Sequence, residues 1–248
     1  MKPSNFGKWA VSHPLGSFVF LPAVLSLALM AMYFSGNVHL QNIVAPTIDN
    51  VPLFTAREFG LLEMLQNLFL LCIVFYSIRC FIAARDIWVR TVALILVLIS
   101  MFAFLEEIDY GTHFIEYTTG EYESLAQETW NRNWHNKISS SGVQNVSYIN
   151  LAAKIGMLSG FVLAPLLLSR IQNRTVRLLV PSKWVVATVV LIVLLSLLAH
   201  FMDEAGHSYI GGTVGNLDYN ISEFRELNMY YLFLLYVVTL DTRIIAMR

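Results

Sequence analysis

The chain has 248 residues, 56% of them hydrophobic and only 13% charged, with 16 Lys and Arg against 17 Asp and Glu for a net charge of −1. That composition excludes a soluble domain, and nothing in it suggests a nucleic-acid partner. The near-zero net charge conceals two faces of opposite sign, which become visible once the apolar runs are laid out.

Taken in chain order, apolar runs of bilayer-crossing length are predicted over 16–34, 61–82, 88–105, 149–168, 184–202 and 229–246. The fold class expected is therefore all-α, a six-helix transmembrane bundle forming a single membrane domain over 1–248. The first run is too long for a signal-peptide core and lacks a small-residue cleavage site, so it is read as a retained span. Cys72 and Cys80 lie eight residues apart on one predicted helix, where their side chains cannot bridge. The stretch 106–148 is the longest connection, too short and too mixed to form a core of its own.

Basic residues orient the spans, because short cytoplasmic loops retain Lys and Arg. Lys2 and Lys8 precede the first span, Arg79, Arg85 and Arg90 cluster at the second connection, Arg170, Arg174, Arg177 and Lys183 occupy the fourth, and Arg243 and Arg248 follow the sixth. Both termini are expected in the cytoplasm of a bacterial cell, with the chain in the inner membrane and the 106–148 loop outside. On that layout every acid except Asp86 and Asp241 faces outward, together with His39, His113, His135, His200 and His207.

The chemistry is therefore sought at the outer ends of the spans. Glu58 and Glu63 open the second span, and Glu63 stands a full turn inside its apolar run, where an ionisable residue is a site candidate by default. If the third helix continues past its apolar part, Glu106, Asp109, Tyr110 and His113 share a face at i, i+3, i+4 and i+7; the fifth span ends with His200, Asp203, Glu204 and His207 at the same intervals. Glu204 and His207 form a Glu-x-x-His pair, the spacing with which helical bundles hold carboxylate-bridged metals. His113, His200, Glu204 and His207 are thus candidate ligands for a divalent metal, namely zinc, manganese or iron. A hydrogen-bonded acid and histidine network that locks the helices is the competing reading. Glu107 is the candidate general base and Glu63 a relay acid. His135, in Asn131-Arg132-Asn133-Trp134-His135-Asn136, either joins the cluster or helps to cap the loop. Glu223 and Glu226 precede the sixth span; neutralisation by Arg225 is the simpler reading of Glu223, which leaves Glu226 as the better site candidate.

Glu106 to Thr112, Asn133 to Asn136, and Glu58 to Glu63 together resemble a group of uncharacterised bacterial multi-pass inner-membrane proteins. Those carry Glu-Glu-Ile-Ser-Trp-Gly-Gln at the end of one span, an Asn-x-His-Asn-type element in the next loop and a paired-Glu opening to another span. The chain departs from that pattern at Asp109, Tyr110 and Thr112. The resemblance covers about a third of the chain and implies a six-span membrane protein in which Glu63, Glu106, Glu107 and His135 act together; it brings no reaction with it.

The function expected is a metal-assisted hydrolase or transferase acting on a lipid or lipid-linked substrate within membrane lipids, the metal polarising the scissile group and a carboxylate moving the proton. The alternatives are a scaffold or accessory subunit docking an envelope-complex partner, and a proton or cation pathway through Glu63.

Overall fold

The computed structural model describes residues 2–48, 51, 56–120, 155–210, 213–214, 217 and 221–247. Apart from a two-residue antiparallel pairing of β1 (Tyr209–Ile210) with β2 (Thr213–Val214), the regular structure of these residues is helical. Helix α1 (Asn5–Ser12) is followed by α2 (Gly16–Tyr33), α3 (Val38–Val44), α4 (Leu61–Ala83), α5 (Ile87–Glu107), α6 (Thr112–Thr119), α7 (Ile155–Leu167), α8 (Arg174–Leu179), α9 (Trp184–Glu204) and α10 (Glu223–Ala246). Five of these helices, α2, α4, α5, α9 with α8 leading into it, and α10, are long and apolar enough to cross a membrane. In place of the expected fourth span over 149–168, the shorter apolar helix α7 is described; residues 149–154 lie outside the described set.

Helix α10 organises the bundle. It packs against α1, α2, α4, α8 and α9, and from Tyr231 to Asp241 every residue but Phe233 is buried. A helix apolar on all sides is a core helix. The other membrane-length helices bury one stripe each and leave Phe20, Val24, Met64, Leu98, Ile99, Leu194 and Leu197 exposed. Such a belt suits hydrocarbon as the surrounding solvent.

Polar side chains tie the helices together. Ser26 on α2 donates to Asn228 Oδ1 on α10 at 2.9 Å, and the Leu217 backbone N–H donates to the buried Tyr33 hydroxyl at 2.9 Å. Helix α2 opens with a π-helical turn over Gly16–Phe20. Pro22 follows and supplies no backbone N–H, so neither the α bond to the Phe18 carbonyl nor the π bond to that of Ser17 is made from position 22. Both carbonyls are taken from outside the helix: Thr188 Oγ1 on α9 donates to Phe18 O at 2.7 Å, and the Tyr231 hydroxyl on α10 donates to Ser17 O at 2.8 Å.

One end of the bundle is rich in arginine. There Arg79 on α4 donates from Nη2 to Oδ2 of the fully buried Asp241 at 3.0 Å and from Nε to Oδ1 at 3.4 Å. Arg243 Nη1 donates to the Val180 carbonyl at 2.7 Å. Asp86 accepts from the backbone N–H groups of Trp88 and Val89, which caps α5. It also accepts the Thr175 hydroxyl on α8; that bond, ahead of the backbone ones, holds its carboxyl below the usual range.

Candidate functional site

The opposite end is rich in glutamate, and the bundle's connectivity explains why. Helices α4 and α10 both begin there and α5 ends there, so the first turns of two helices and the last turn of a third meet. Glu63 lies in the first turn of α4, Glu223 and Glu226 in the first turn of α10, and Glu107 closes α5. Acids at helix N-termini are favoured by the macrodipole, whereas Glu107 sits at the unfavourable end. It is compensated by the Tyr230 hydroxyl of α10, which donates to Glu107 Oε1.

Residues 56–60 bring a further acid and the cluster's cation. Gly60 passes so close to α3 that a Cβ there would stand 2.2 Å from the Val44 carbonyl oxygen, which pins the segment against the bundle. Arg57 Nε lies 3.6 Å from Glu58 Oε1, with both side chains largely buried. Burial alone would lower the Arg57 guanidinium, but the carboxylates of Glu223, Glu63 and Glu58 outweigh it and hold it above its ordinary value. Burial pushes the Glu58 carboxyl up to about 8; Arg57 opposes this, while Glu107 and Glu223 add to it. The Arg57 guanidinium by itself cannot neutralise so many acids in a poorly hydrated place.

Glu63 and Glu223 are buried, at 2% and 7% exposure. Gln66, fully buried one turn below Glu63, donates from Nε2 to both the backbone O and Oε2 of Glu223 at 3.1 Å. No donor among the described residues reaches Gln66 Oε1 or the buried Asn67 Oδ1. Among the described residues this end of the bundle is rich in carboxyl and amide acceptors, which protons held on the carboxyls or a bound cation would satisfy.

The structure assembles a different set from the one the helical stripes suggest. Glu58, Glu63 and Glu107 lie within electrostatic reach of one another, Glu226 lies within reach of Glu107, and all four lie within reach of Glu223. The expected continuous stripe from Glu106 to His113 is interrupted: Tyr110 and Gly111 both adopt left-handed backbone, with φ of 53° and 84°. That break turns the chain from α5 into α6, where Glu106 accepts the Tyr110 hydroxyl. The side chains of Asp109 and His113, and all of His135, lie outside the described residues. The second stripe is broken too. Helix α9 ends at Glu204, Gly206 is left-handed at φ 82°, and His200, Glu204 and His207 are all exposed. Helix α9 buries Val185, Thr188, Ile192, Leu195 and Ala199, the face on which those three do not lie. Asp203 accepts from Ser208 Oγ at 2.6 Å. Among the described residues no three of His, Cys, Asp and Glu are arranged to hold a metal ion.

Glu223 is also reassigned. Arg225 lies 3.8 Å from Glu226 and both are partly exposed, so the acid that was read as neutralised is the buried one. Arg57, Gln66 and Tyr230 were absent from the sequence-derived set. The available signal was the helix start: had the last span been begun at Glu223 rather than 229, Glu223, Glu226 and Tyr230 would have fallen on one stripe at i, i+3 and i+7. Comparison of the chain with protein-family models, with curated proteins and with solved structures finds no match.

Proposed function

We propose that this chain is a six-span protein of a bacterial inner membrane with both termini cytoplasmic, and that its glutamate cluster is an external acid–base site acting on a lipid or lipid-linked substrate as a hydrolase or transferase. The observation that carries the reading is the gathering of Glu58, Glu63, Glu107, Glu223 and Glu226 around Arg57, beside two buried acceptors that no donor among the described residues reaches. An uncompensated buried carboxylate is expensive and is retained where it does work. Glu58, protonated near neutral pH, supplies a proton to a leaving group; a neighbouring carboxylate such as that of Glu107, oriented by Tyr230, is the group that takes one from the attacking water or hydroxyl. The stretches that carry Glu58, Glu63 and Glu107 are two of the three by which the chain resembles the bacterial group, which favours a shared role. A metal-assisted variant of the same chemistry gains no support from His200, Glu204 and His207, exposed as they are.

The test is lipid mass spectrometry on extracts of cells producing the wild-type chain or Glu107→Gln at equal levels. Under this reading a lipid species changes with the wild type and not with the variant, while both proteins melt at similar temperatures. Identical lipid profiles for wild type, variant and empty cells would defeat the enzyme reading in favour of a docking scaffold.

A further inference from the structure

At the arginine-rich end, far from the glutamates, a cavity of about 270 Å³ opens between the end of α4, the start of α5, α8 and the end of α10. Its floor and walls are apolar, formed by Ala83, Ala84, Val89, Leu178 and Ile244, and its polar lining is Arg85, Asp86 and Arg174. A second hollow of about 350 Å³ adjoins it, sharing Arg174 and Met247 and adding Arg177 and Gln172.

Arginines on short loops are ordinary in membrane proteins and are most often merely solvated. Those lining this cavity differ from their neighbours in what they touch. Arg79 is consumed by Asp241, Arg243 by backbone carbonyls, and Arg90 lies over the Phe81 ring. Arg174 donates to the Met247 carbonyl at 3.1 Å, which offsets the negative end of α10. Arg85 and Arg177 are exposed and have no carboxylate partner among the described residues. Asp86, the one acid in the lining, is occupied by the α5 N-cap and Thr175. Helix C-termini each bring about half a negative charge, which three guanidinium groups exceed. Ile87, Trp88 and Ile171 are exposed in sequence positions flanking the lining, and a Trp at that place marks the level where headgroups meet hydrocarbon.

We propose that this cavity and the hollow adjoining it bind the phosphate headgroup of an anionic membrane lipid, with Arg85, Arg174 and Arg177 clasping the phosphodiester and the lipid's acyl chains leaving along the exposed apolar face of α5. Guanidinium forks match phosphate oxygens, and a basic pocket between helices at the membrane boundary has the chemistry such headgroups require. This site is independent of the glutamate cluster and of any reaction there.

The test uses the full chain in detergent, titrated with phosphatidylglycerol or phosphatidylcholine and read by native mass spectrometry. Phosphatidylglycerol should bind as a single retained adduct at lower concentration than phosphatidylcholine. In Arg85→Gln/Arg177→Gln its affinity should fall by about fivefold for each arginine removed, with phosphatidylcholine binding and melting temperature unchanged. Arg170→Gln, on the same face but outside the lining, should bind like the wild type. Inorganic phosphate at millimolar concentration should leave the adduct in place; displacement by it would mark a free-phosphate site and overturn the lipid assignment. Equal binding of the two lipids, or full retention by the double variant, would overturn the site.

Discussion

Glu58 illustrates how burial sets protonation. Its carboxyl is held near 8 chiefly by burial, although a guanidinium stands 3.6 Å away. In the unfolded chain a glutamate titrates at about 4.3. The folded state therefore binds the proton more tightly than the unfolded one. The contribution to stability is complete below the unfolded value and is lost as pH rises through about 8. The expected outcome is a melting temperature that falls between pH 6 and pH 9, and a shallower fall in Glu58→Gln, where nothing at that position titrates. Thermal melts of both proteins across that interval measure it; parallel curves would show that Glu58 is ionised throughout.

Among the helices, α2 depends on its neighbours in a way that can be tested. Thr188→Val deprives the Phe18 carbonyl of its donor in a buried setting, at a cost of about 1–3 kcal/mol, and Tyr231→Phe does the same to the Ser17 carbonyl. Pro22→Ala restores an N–H to the helix. Thr188→Val should therefore be less harmful in a Pro22→Ala background than alone, a coupling that a double-mutant cycle of melting curves detects. The elements themselves were largely legible in the residues, because transfer into lipid is a sum over a run: 61–82 and 184–202 differ from α4 and α9 by two residues at most. The last helix starts six residues ahead of the apolar run expected over 229–246, since Glu223 and Glu226 look like loop residues until their partners are known. Those partners, Gln66, Arg57 and Glu107, lie more than 100 positions away in sequence, and no local pattern reveals them. The helical continuations expected for the two stripes stop for a local reason: Tyr110 and Gly206 leave the helical path, and periodicity carried beyond a helix end has no physical content.

For the whole molecule, the separation of charge between the two ends carries the orientation. Glutamates gather where α4 and α10 begin and arginines where they finish, in keeping with the proposed cytoplasmic placement of both termini. Reporter fusions at residues 1 and 248 should score cytoplasmic and an insertion near Ser140 should score external. An external C-terminus would reverse the assignment of both the glutamate site and the lipid cavity.

The central position of α10 bears on the timing of assembly. Every helix that it packs against precedes it in the chain, and its polar contacts to α2, α4 and α5 close separations of 123 to 214 residues. Until α10 takes its place, Gln66, Arg79, Glu107 and the Ser17 carbonyl lack their partners on it and must be sheltered by water, lipid headgroups or the insertion machinery. The nascent chain is therefore most vulnerable just before its last described helix arrives, and that helix converts a loose set of helices into a packed bundle in one late step.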